Sequence, residues 1–217
     1  MPKIYFLGNS HAVKIFNAAQ NSEEFKKLNF ELCNLAKPGG LVKDLLRLRY
    51  LSFEENDILC VQTMGNDILE KDFSKIKVKS NITFHLNSYN EVSKQKLQDS
   101  FNDLLKFLDS FHDQNVFFID NPYRFITSCC KQHKIPTRSK HYQEKTNQKL
   151  REFLAKNLKS EKVFILDHRQ LLGVKRKKFR NKFFYASLLK DNVHFSSSVY
   201  RNIAQRLAKE IKKKQIA

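Results

Sequence analysis

Four short stretches of this 217-residue chain hold groups that could act together on an ester. Ser10 lies near the N-terminus, while Asp191 and His194 lie near the opposite end. A serine hydroxyl becomes a good nucleophile only when a neighbouring imidazole accepts its proton. His194 could be that general base, and Asp191, three residues earlier, could fix the tautomer of the imidazole. The spacing therefore predicts a nucleophile, a base and an orienting carboxylate.

The other two stretches supply hydrogen-bond donors for the oxyanion that forms when a serine attacks a carbonyl group. Gly39 lies in the Pro-Gly-Gly sequence at 38–40, and Asn66 lies in the Gly-Asn-Asp sequence at 65–67. We expect the backbone N–H groups of Ser10 and Gly39 and the side-chain amide of Asn66 to form an oxyanion hole. A glycine at position 39 allows the main chain to approach the substrate closely.

Apolar runs precede three of these stretches and predict the strands that position them. The predicted strands are residues 3–7, 30–35, 57–62, 115–120 and 162–167. Helical periodicity between and after them predicts helices at 41–51, 92–111, 141–158 and 196–214. Mostly continuous apolar strands that alternate with helices indicate a doubly wound α/β domain with a parallel sheet. Because ligands bind at the carboxyl edge of such sheets, Ser10, Gly39 and Asn66 should converge there.

The composition predicts a single globular domain over residues 1–217. A chain of this length buries one substantial core, and its 41% hydrophobic content with 19 Phe argues against disorder. Residues 71–89 are polar with one apolar island, and we interpret them as an insertion or lid. No apolar run reaches the roughly 18 residues of a membrane span, and the N-terminus lacks the pattern of a signal peptide. We expect an intracellular protein, cytoplasmic or nuclear, that is not secreted.

The four cysteines show no metal-binding pattern. Cys33 and Cys60 fall within apolar runs, and we expect them to be core thiols. Cys129 and Cys130 are adjacent, and adjacent cysteines rarely form a relaxed disulfide with each other. No C-x-x-C sequence is paired with histidines, so zinc is not expected. We predict a site without metal or cofactor, and we expect His11, beside Ser10, to line it.

Net charge is the second unusual feature of the chain. It contains 40 Lys and Arg against 22 Asp and Glu, which gives a formal net charge of +18. Such an excess favours polyanionic partners, either RNA or DNA or an anionic membrane surface. A basic loop predicted at residues 174–185 concentrates the charge. Its candidate polyanion-binding residues are Lys175, Arg176, Lys177, Lys178, Arg180 and Lys182.

This basic loop has two interpretations. It could be a solvated loop or an import signal. Alternatively, its cations hold phosphates while the neighbouring Phe and Tyr side chains stack on unpaired bases or enter a lipid interface. Further basic groups in the last helix and after the fourth strand favour the second interpretation. They are Lys209, Lys212, Lys213 and Lys214, and Arg124, Lys131, Lys134, Arg138 and Lys140.

Taken in order, the four stretches resemble the conserved blocks of the SGNH (GDSL-type) hydrolases. The blocks are Gly-Asn-Ser-His at 8–11, Lys-Pro-Gly-Gly at 37–40, Gly-Asn-Asp at 65–67 and Asp-Asn-Val-His-Phe at 191–195. The resemblance implies a three-layer flavodoxin-like α/β fold with a five-stranded parallel sheet in the order 2-1-3-4-5. It also implies a serine esterase without a metal. The chain departs from the family at Asn9, where an Asp is usual.

Two functions remain open at this point. One is an esterase or acyl hydrolase acting on a small-molecule or lipid ester beside a polyanionic partner. The alternative is a catalytically weak or inactive member of the same fold that binds nucleic acid, RNA in particular. The resemblance extends to SGNH esterase domains that some non-LTR retrotransposons encode beside their nucleic-acid-handling parts. A weaker third idea is that the basic face brings Ser10 to lipid esters on an anionic membrane.

Overall fold

The computed structural model describes residues 1–72, 88–121, 137–173 and 194–216. Asp191, the basic loop at 174–185 and most of the insertion at 71–89 lie outside these residues, as do Cys129 and Cys130. Within the described ranges, no helix combines the length and apolarity needed to cross a bilayer.

A five-stranded parallel sheet forms the centre of the molecule. Its strands are β1 (Lys3–Gly8), β2 (Glu31–Asn34), β3 (Ile58–Gln62), β6 (Asn115–Ile119) and β7 (Val163–Leu166). They lie in the order β2-β1-β3-β6-β7, and every neighbouring pair runs parallel. Counted within this sheet alone, the order is 2-1-3-4-5. The predicted sheet is therefore confirmed, and its strands begin and end within two residues of the predicted limits.

Two further strands flank the segment interpreted as an insertion or lid. Strands β4 (Leu69–Asp72) and β5 (Ser88–Glu91) pair antiparallel with each other. They form a separate two-stranded sheet. The described ends of the insertion are thus held together, while its role as a lid stays a prediction.

Seven α-helices and a 3-10 turn are described. The helices are α1 (Ser10–Gln20), α2 (Glu23–Lys26), α3 (Val42–Leu45), α4 (Lys94–Leu108), α5 (Thr137–Asn157), α6 (His168–Leu172) and α7 (Ser197–Ile216). The helix predicted at 41–51 is wrong as a single element, because α3 is followed by a 3-10 turn at Leu48–Tyr50. The leucine spacing indicates which side chains face the core, and two short pieces satisfy it as well as one helix does.

Helices cover both faces of the sheet and create a three-layer α/β architecture. On one face, α1, α2, α6 and α7 contribute to a core that includes Ile4, Phe6, Ile15, Phe25, Ile58, Phe117, Leu171, Ile203 and Leu207. On the other, α3, α4 and α5 contribute to a core that includes Leu7, Val42, Leu59, Val61, Leu104, Phe107, Phe118, Leu150 and Leu154. Alternate residues of β1 and β3 point to opposite cores, and this explains why these strands are continuously apolar.

The backbone packs closely at the passage from β1 to α1. Gly8 has φ +126°, and a Cβ added there would lie 1.8 Å from the carbonyl oxygen of Gln62. The Asn9 N–H donates to that same oxygen at 3.1 Å. The close approach of β1 to the end of β3 therefore requires glycine, and it fixes where α1 begins.

We expect Gly8→Ala to lower the free energy of unfolding by about 3 kcal/mol or more, because backbone strain and a steric clash act together. Gly39→Ala is the matched control. Gly39 also has a positive φ, +77°, but nothing lies within 4 Å of the added Cβ. Gly39→Ala should lower the free energy of unfolding by about 1 to 2 kcal/mol, because only the left-handed backbone conformation is strained. Urea unfolding measures both, and equal losses in the two variants would contradict the clash.

Candidate active site

Ser10 is the first residue of α1 and lies at the carboxyl edge of the sheet. Asn9, in extended conformation, is the N-cap of α1, and its Oδ1 accepts a hydrogen bond from the His11 N–H at 2.9 Å. A polar side chain that accepts from the first free N–H groups is what begins a helix here. The N-terminal end of α1 places partial positive charge beside the serine, which favours negative charge developing at that position.

The fourth stretch brings a histidine to this serine from the far end of the chain. His194 Nε2 lies 2.9 Å from Ser10 Oγ, although the two residues are 184 positions apart. Both residues are half-buried. Phe195, the next residue, is buried in the core beside α1. A serine and an imidazole at this distance can exchange a proton.

Asp191, the predicted orienting carboxylate, lies outside the described residues, so its role stays a prediction. The six predicted polyanion-binding residues at 175–182 also lie outside them. His194 is the first described residue after both.

The second and third stretches meet beside the first. Asn66 Nδ2 donates to the Gly40 carbonyl oxygen at 3.2 Å. The Lys37 N–H donates to the Gly8 carbonyl oxygen at 2.9 Å. A Cβ added at Gly39 would meet no atom within 4 Å, so there is open space on that side of the residue. The structure therefore places the loops that contain Gly39 and Asn66 beside the passage from β1 to α1, where Ser10 lies, and their role as oxyanion donors stays a prediction.

Asp67 has a role that sequence reasoning did not assign. Its Oδ1 accepts a hydrogen bond from the Val42 N–H at 3.1 Å, and the Asp67 side chain is buried. This bond ties the loop that contains Asn66 to the loop that contains Gly39. In the sequence, only the position of Asp67 within the Gly-Asn-Asp stretch pointed to a role for it. The bond itself could not be predicted, because its partner is a backbone group 25 residues away.

We expected His11 to line the site, but the structure places it in the core. Its side chain is fully buried, and His11 Nδ1 lies 2.7 Å from the hydroxyl oxygen of Tyr200 in α7. The first turn of α1 points Ser10 to the surface and the next residue into the core between α1 and α7. A helix separates consecutive side chains by about 100°. His11 therefore faces a different side of α1 from Ser10, although the two residues are adjacent in sequence.

A second polar cluster lies at the ends of β6 and β7. Asp120 is buried and accepts hydrogen bonds from the His168 N–H at 2.8 Å, from His168 Nδ1 at 2.5 Å and from Arg151. Burial raises the pKa of Asp167, but the hydrogen bonds from Arg169, together with electrostatic attraction to His168 and Arg169, hold that pKa below its usual value.

Asp120, Asp167 and His168 also lie close enough together to hold a metal ion. However, Arg151 and Arg169 already neutralise the two carboxylates. A metal would have to displace a guanidinium group from each. We interpret this cluster as an ion-pair network that fastens α5 and α6 to the sheet.

The two described cysteines take no part in the site. Cys60 lies in the core, and burial raises the pKa of its thiol. Cys33 is partly buried, and burial raises its pKa as well. Because the thiolate is the reactive form, both cysteines are poor nucleophiles.

The chain resembles known proteins in its three-dimensional structure, whereas sequence comparison finds no match. No protein-family model matches the chain, and no curated protein matches it. A GDSL-like lipase from Bacteroides thetaiotaomicron superposes with a TM-score of 0.57 at 15% identity, covering 98% of this chain and 88% of that one. A lipase from a goat rumen metagenome superposes with a TM-score of 0.56 at 14% identity, covering 96% and 97%. At this identity the likeness shows a shared fold, the three-layer α/β fold of GDSL-type hydrolases.

Asn9 stands where an Asp is usual in the SGNH hydrolases that the sequence resembles. Its role as the N-cap of α1 can be tested by substitution. Asn9 is 0% exposed, and within the described ranges no acceptor reaches its Nδ2. Asn9→Asp keeps the capping oxygen and removes that unpartnered N–H group, so we expect its unfolding free energy to match or exceed that of the wild type. Asn9→Ala loses the cap and should cost about 1 kcal/mol.

Urea unfolding provides the measurement, and Ser93→Ala is the matched control. Ser93 caps α4 in the same way, by accepting from the Lys96 N–H at 3.2 Å, on an exposed surface. Ser93→Ala should lower the free energy of unfolding by about as much as Asn9→Ala does, without affecting the reactivity of Ser10. An Asn9→Ala variant as stable as the wild type would contradict the role of Asn9 as a cap.

Proposed function

We propose that the protein is a serine esterase, an acyl hydrolase of the SGNH type. The observation that carries the proposal is the 2.9 Å distance between Ser10 Oγ and His194 Nε2 at the carboxyl edge of the sheet. The gathering of Gly39 and Asn66 at the same edge supports it. The lipases that share the fold support it as well, although fold alone does not fix chemistry.

Acylation begins with the proton of the Ser10 hydroxyl. As Ser10 Oγ attacks the ester carbonyl carbon, this proton passes to His194 Nε2, and the carbonyl oxygen becomes an oxyanion. The N–H groups of Ser10 and Gly39 and the amide of Asn66 donate to that oxyanion. When the tetrahedral intermediate collapses, the C–O bond to the alcohol breaks and His194 returns the proton to the leaving alkoxide.

Deacylation repeats these steps with water as the nucleophile. His194 takes a proton from water, the resulting hydroxide attacks the acyl-serine, and the proton is returned to Ser10 Oγ as the carboxylic acid leaves. Asp191 would accept a hydrogen bond from the other ring nitrogen and stabilise the imidazolium. The substrate class is an ester of a small molecule or a lipid.

The test uses a fluorophosphonate probe and short-chain aryl esters. We expect the wild-type protein to be labelled covalently and to turn the esters over, and Ser10→Ala to abolish labelling. Ester turnover by Ser10→Ala should fall by at least about 10³-fold. Ser52→Ala is the matched control, because Ser52 is an exposed serine that precedes β3, at the opposite edge of the sheet. Folded wild-type protein that shows neither labelling nor turnover would overturn the proposal.

The role of Asp191 is tested separately. We expect Asp191→Asn to lower kcat by about 10³- to 10⁴-fold, since loss of the carboxylate favours the wrong imidazole tautomer. Steady-state kinetics on the same aryl esters measures this. Full activity in this variant would remove Asp191 from the site and leave a Ser10–His194 dyad in place.

A second candidate function, binding of a nucleic acid, is supported by the distribution of charge. Segments 73–87, 122–136 and 174–193 contain thirteen Lys and Arg and a single acidic residue, Asp191. Two of these segments adjoin Asn121 and His194, which lie at the carboxyl edge of the sheet. The cations are therefore concentrated in sequence next to the proposed active site.

The described part of the chain adds a basic helix. The exposed side of α7 presents Arg201, Arg206, Lys209, Lys212, Lys213 and Lys214. Its one acidic residue, Glu210, pairs with Lys213 at 2.8 Å. The large apolar side chains of α7 that the structure describes are buried, so this surface offers charge without a group that would enter a lipid. This favours phosphate groups of RNA or DNA over a membrane as the partner of this surface.

We expect affinity for single-stranded RNA to fall steeply with salt, with a logarithmic slope of about −0.7 for each phosphate contacted. Changing Lys175, Arg176, Lys177, Lys178, Arg180 and Lys182 to Gln should weaken binding and flatten the slope. Ser10→Ala is the matched control and should bind as the wild type does. Fluorescence anisotropy with RNA and DNA, and sedimentation with anionic vesicles, compare the partners. An affinity that does not change with salt concentration, or that is equal in the Gln variant and the wild type, would contradict the proposal.

A further inference from the structure

A buried polar pair joins the helix of the nucleophile to the last helix. His11 Nδ1 and the hydroxyl oxygen of Tyr200 lie 2.7 Å apart, and the two residues are 189 positions apart in the chain. His11 is 0% exposed and Tyr200 is 3% exposed. A hydrogen bond shielded from water in this way is directional and costly to break, because either partner left alone stays desolvated.

The pair lies directly behind the histidine of the site. The His11 ring centroid is 5.3 Å from that of His194 and 6.2 Å from that of Phe195. The Tyr200 ring is 5.7 Å from Phe195 and 6.1 Å from His11. Four aromatic rings therefore form one packed group, with only the His194 end at the surface of the site.

Two bonds thus connect the same two parts of the chain. Ser10 bonds to His194, and the next residue, His11, bonds to Tyr200 six residues after His194. Packing alone does not require polar atoms at the second contact, since an apolar pair would fill the space between α1 and α7. A hydrogen bond there fixes one distance between the two helices, whereas apolar contacts tolerate sliding.

We propose that His11 and Tyr200 are a positioning pair, which sets the distance between Ser10 and His194 by fixing the first turn of α1 against α7. The proposal rests on the esterase function proposed above, because its effect is measured on that reaction. Both residues are buried, so their effect on the reaction is indirect. They act by holding the imidazole of His194 where it can take the proton from Ser10.

The first test is Tyr200→Phe, which removes the hydroxyl and keeps the ring. We expect kcat for an aryl ester to fall at least about tenfold, since small displacements of catalytic groups are costly. The KM should be unchanged, because the oxyanion donors and the substrate pocket are not altered. The rate of fluorophosphonate labelling should fall by the same factor. Tyr50→Phe is the matched control, since Tyr50 is 76% exposed on the 3-10 turn, and its kinetics should equal those of the wild type.

The second test exchanges the partner of Tyr200. His11→Asn places an amide atom where Nδ1 lies and can restore the bond to the tyrosine hydroxyl, whereas His11→Leu fills the space without a polar atom. We expect His11→Asn to keep most of kcat and His11→Leu to lose at least as much as Tyr200→Phe. This order would not arise if the histidine only filled volume. Urea midpoints establish that each variant is folded under the assay conditions.

The outcomes separate this inference from the function on which it rests. Wild-type protein without labelling or turnover overturns the esterase, and with it the positioning role. Active wild type with a Tyr200→Phe variant of equal kcat overturns the positioning pair alone. A kcat that falls together with a large rise in KM also overturns it, because that pattern indicates a disturbed pocket. If His11→Leu does not fold, Tyr200→Phe and His11→Asn decide the question.

Discussion

The site depends on one close passage of backbone, where Gly8 runs against the carbonyl of Gln62. There, β1 must stay beside β3 until its last residue and then turn into α1 within two residues. The glycine permits the approach, the Asn9 N–H bonds to the same Gln62 oxygen, and the Asn9 side chain starts the helix. Ser10 therefore emerges at the carboxyl edge of the sheet at the N-terminus of a helix, where negative charge is favoured.

The other half of the site arrives from the opposite end of the chain. Bringing His194 to Ser10 closes a very long loop, and the entropy of closure is offset by burial between α1, α7 and the sheet. Phe195 inserts into that core directly after the histidine. Ser10 and His194 thus lie at the rim of a large apolar contact, so the stability of the fold and the geometry of the candidate site rest on the same packing.

Charge is arranged differently inside and outside the molecule. The buried carboxylate of Asp120 is hydrogen-bonded to His168 and paired with Arg151, which compensates the cost of burying its charge. The cations of α7 face solvent, and among the described residues one of the six, Lys213, pairs with an acidic group. The first arrangement fastens helices to the sheet, while the second leaves a field that attracts anions from solution. The same residue types therefore stabilise the fold in one place and present a surface in another.

The sequence by itself predicted the strands, their alternation with helices and the edge of the sheet to which Ser10, Gly39 and Asn66 belong, and its resemblance to the SGNH hydrolases implied the sheet order and the three layers. Continuous apolar strands, helical periodicity and the order of the SGNH-like blocks are local or ordered along the chain, so they can be read without coordinates. The single helix expected at 41–51 was wrong because periodicity reports burial rather than continuity. Only the tertiary structure decided that His11 is buried against Tyr200 and that Asp67 ties two loops together. Those contacts join residues far apart in sequence, and they depend on how helices pack and which way each side chain points.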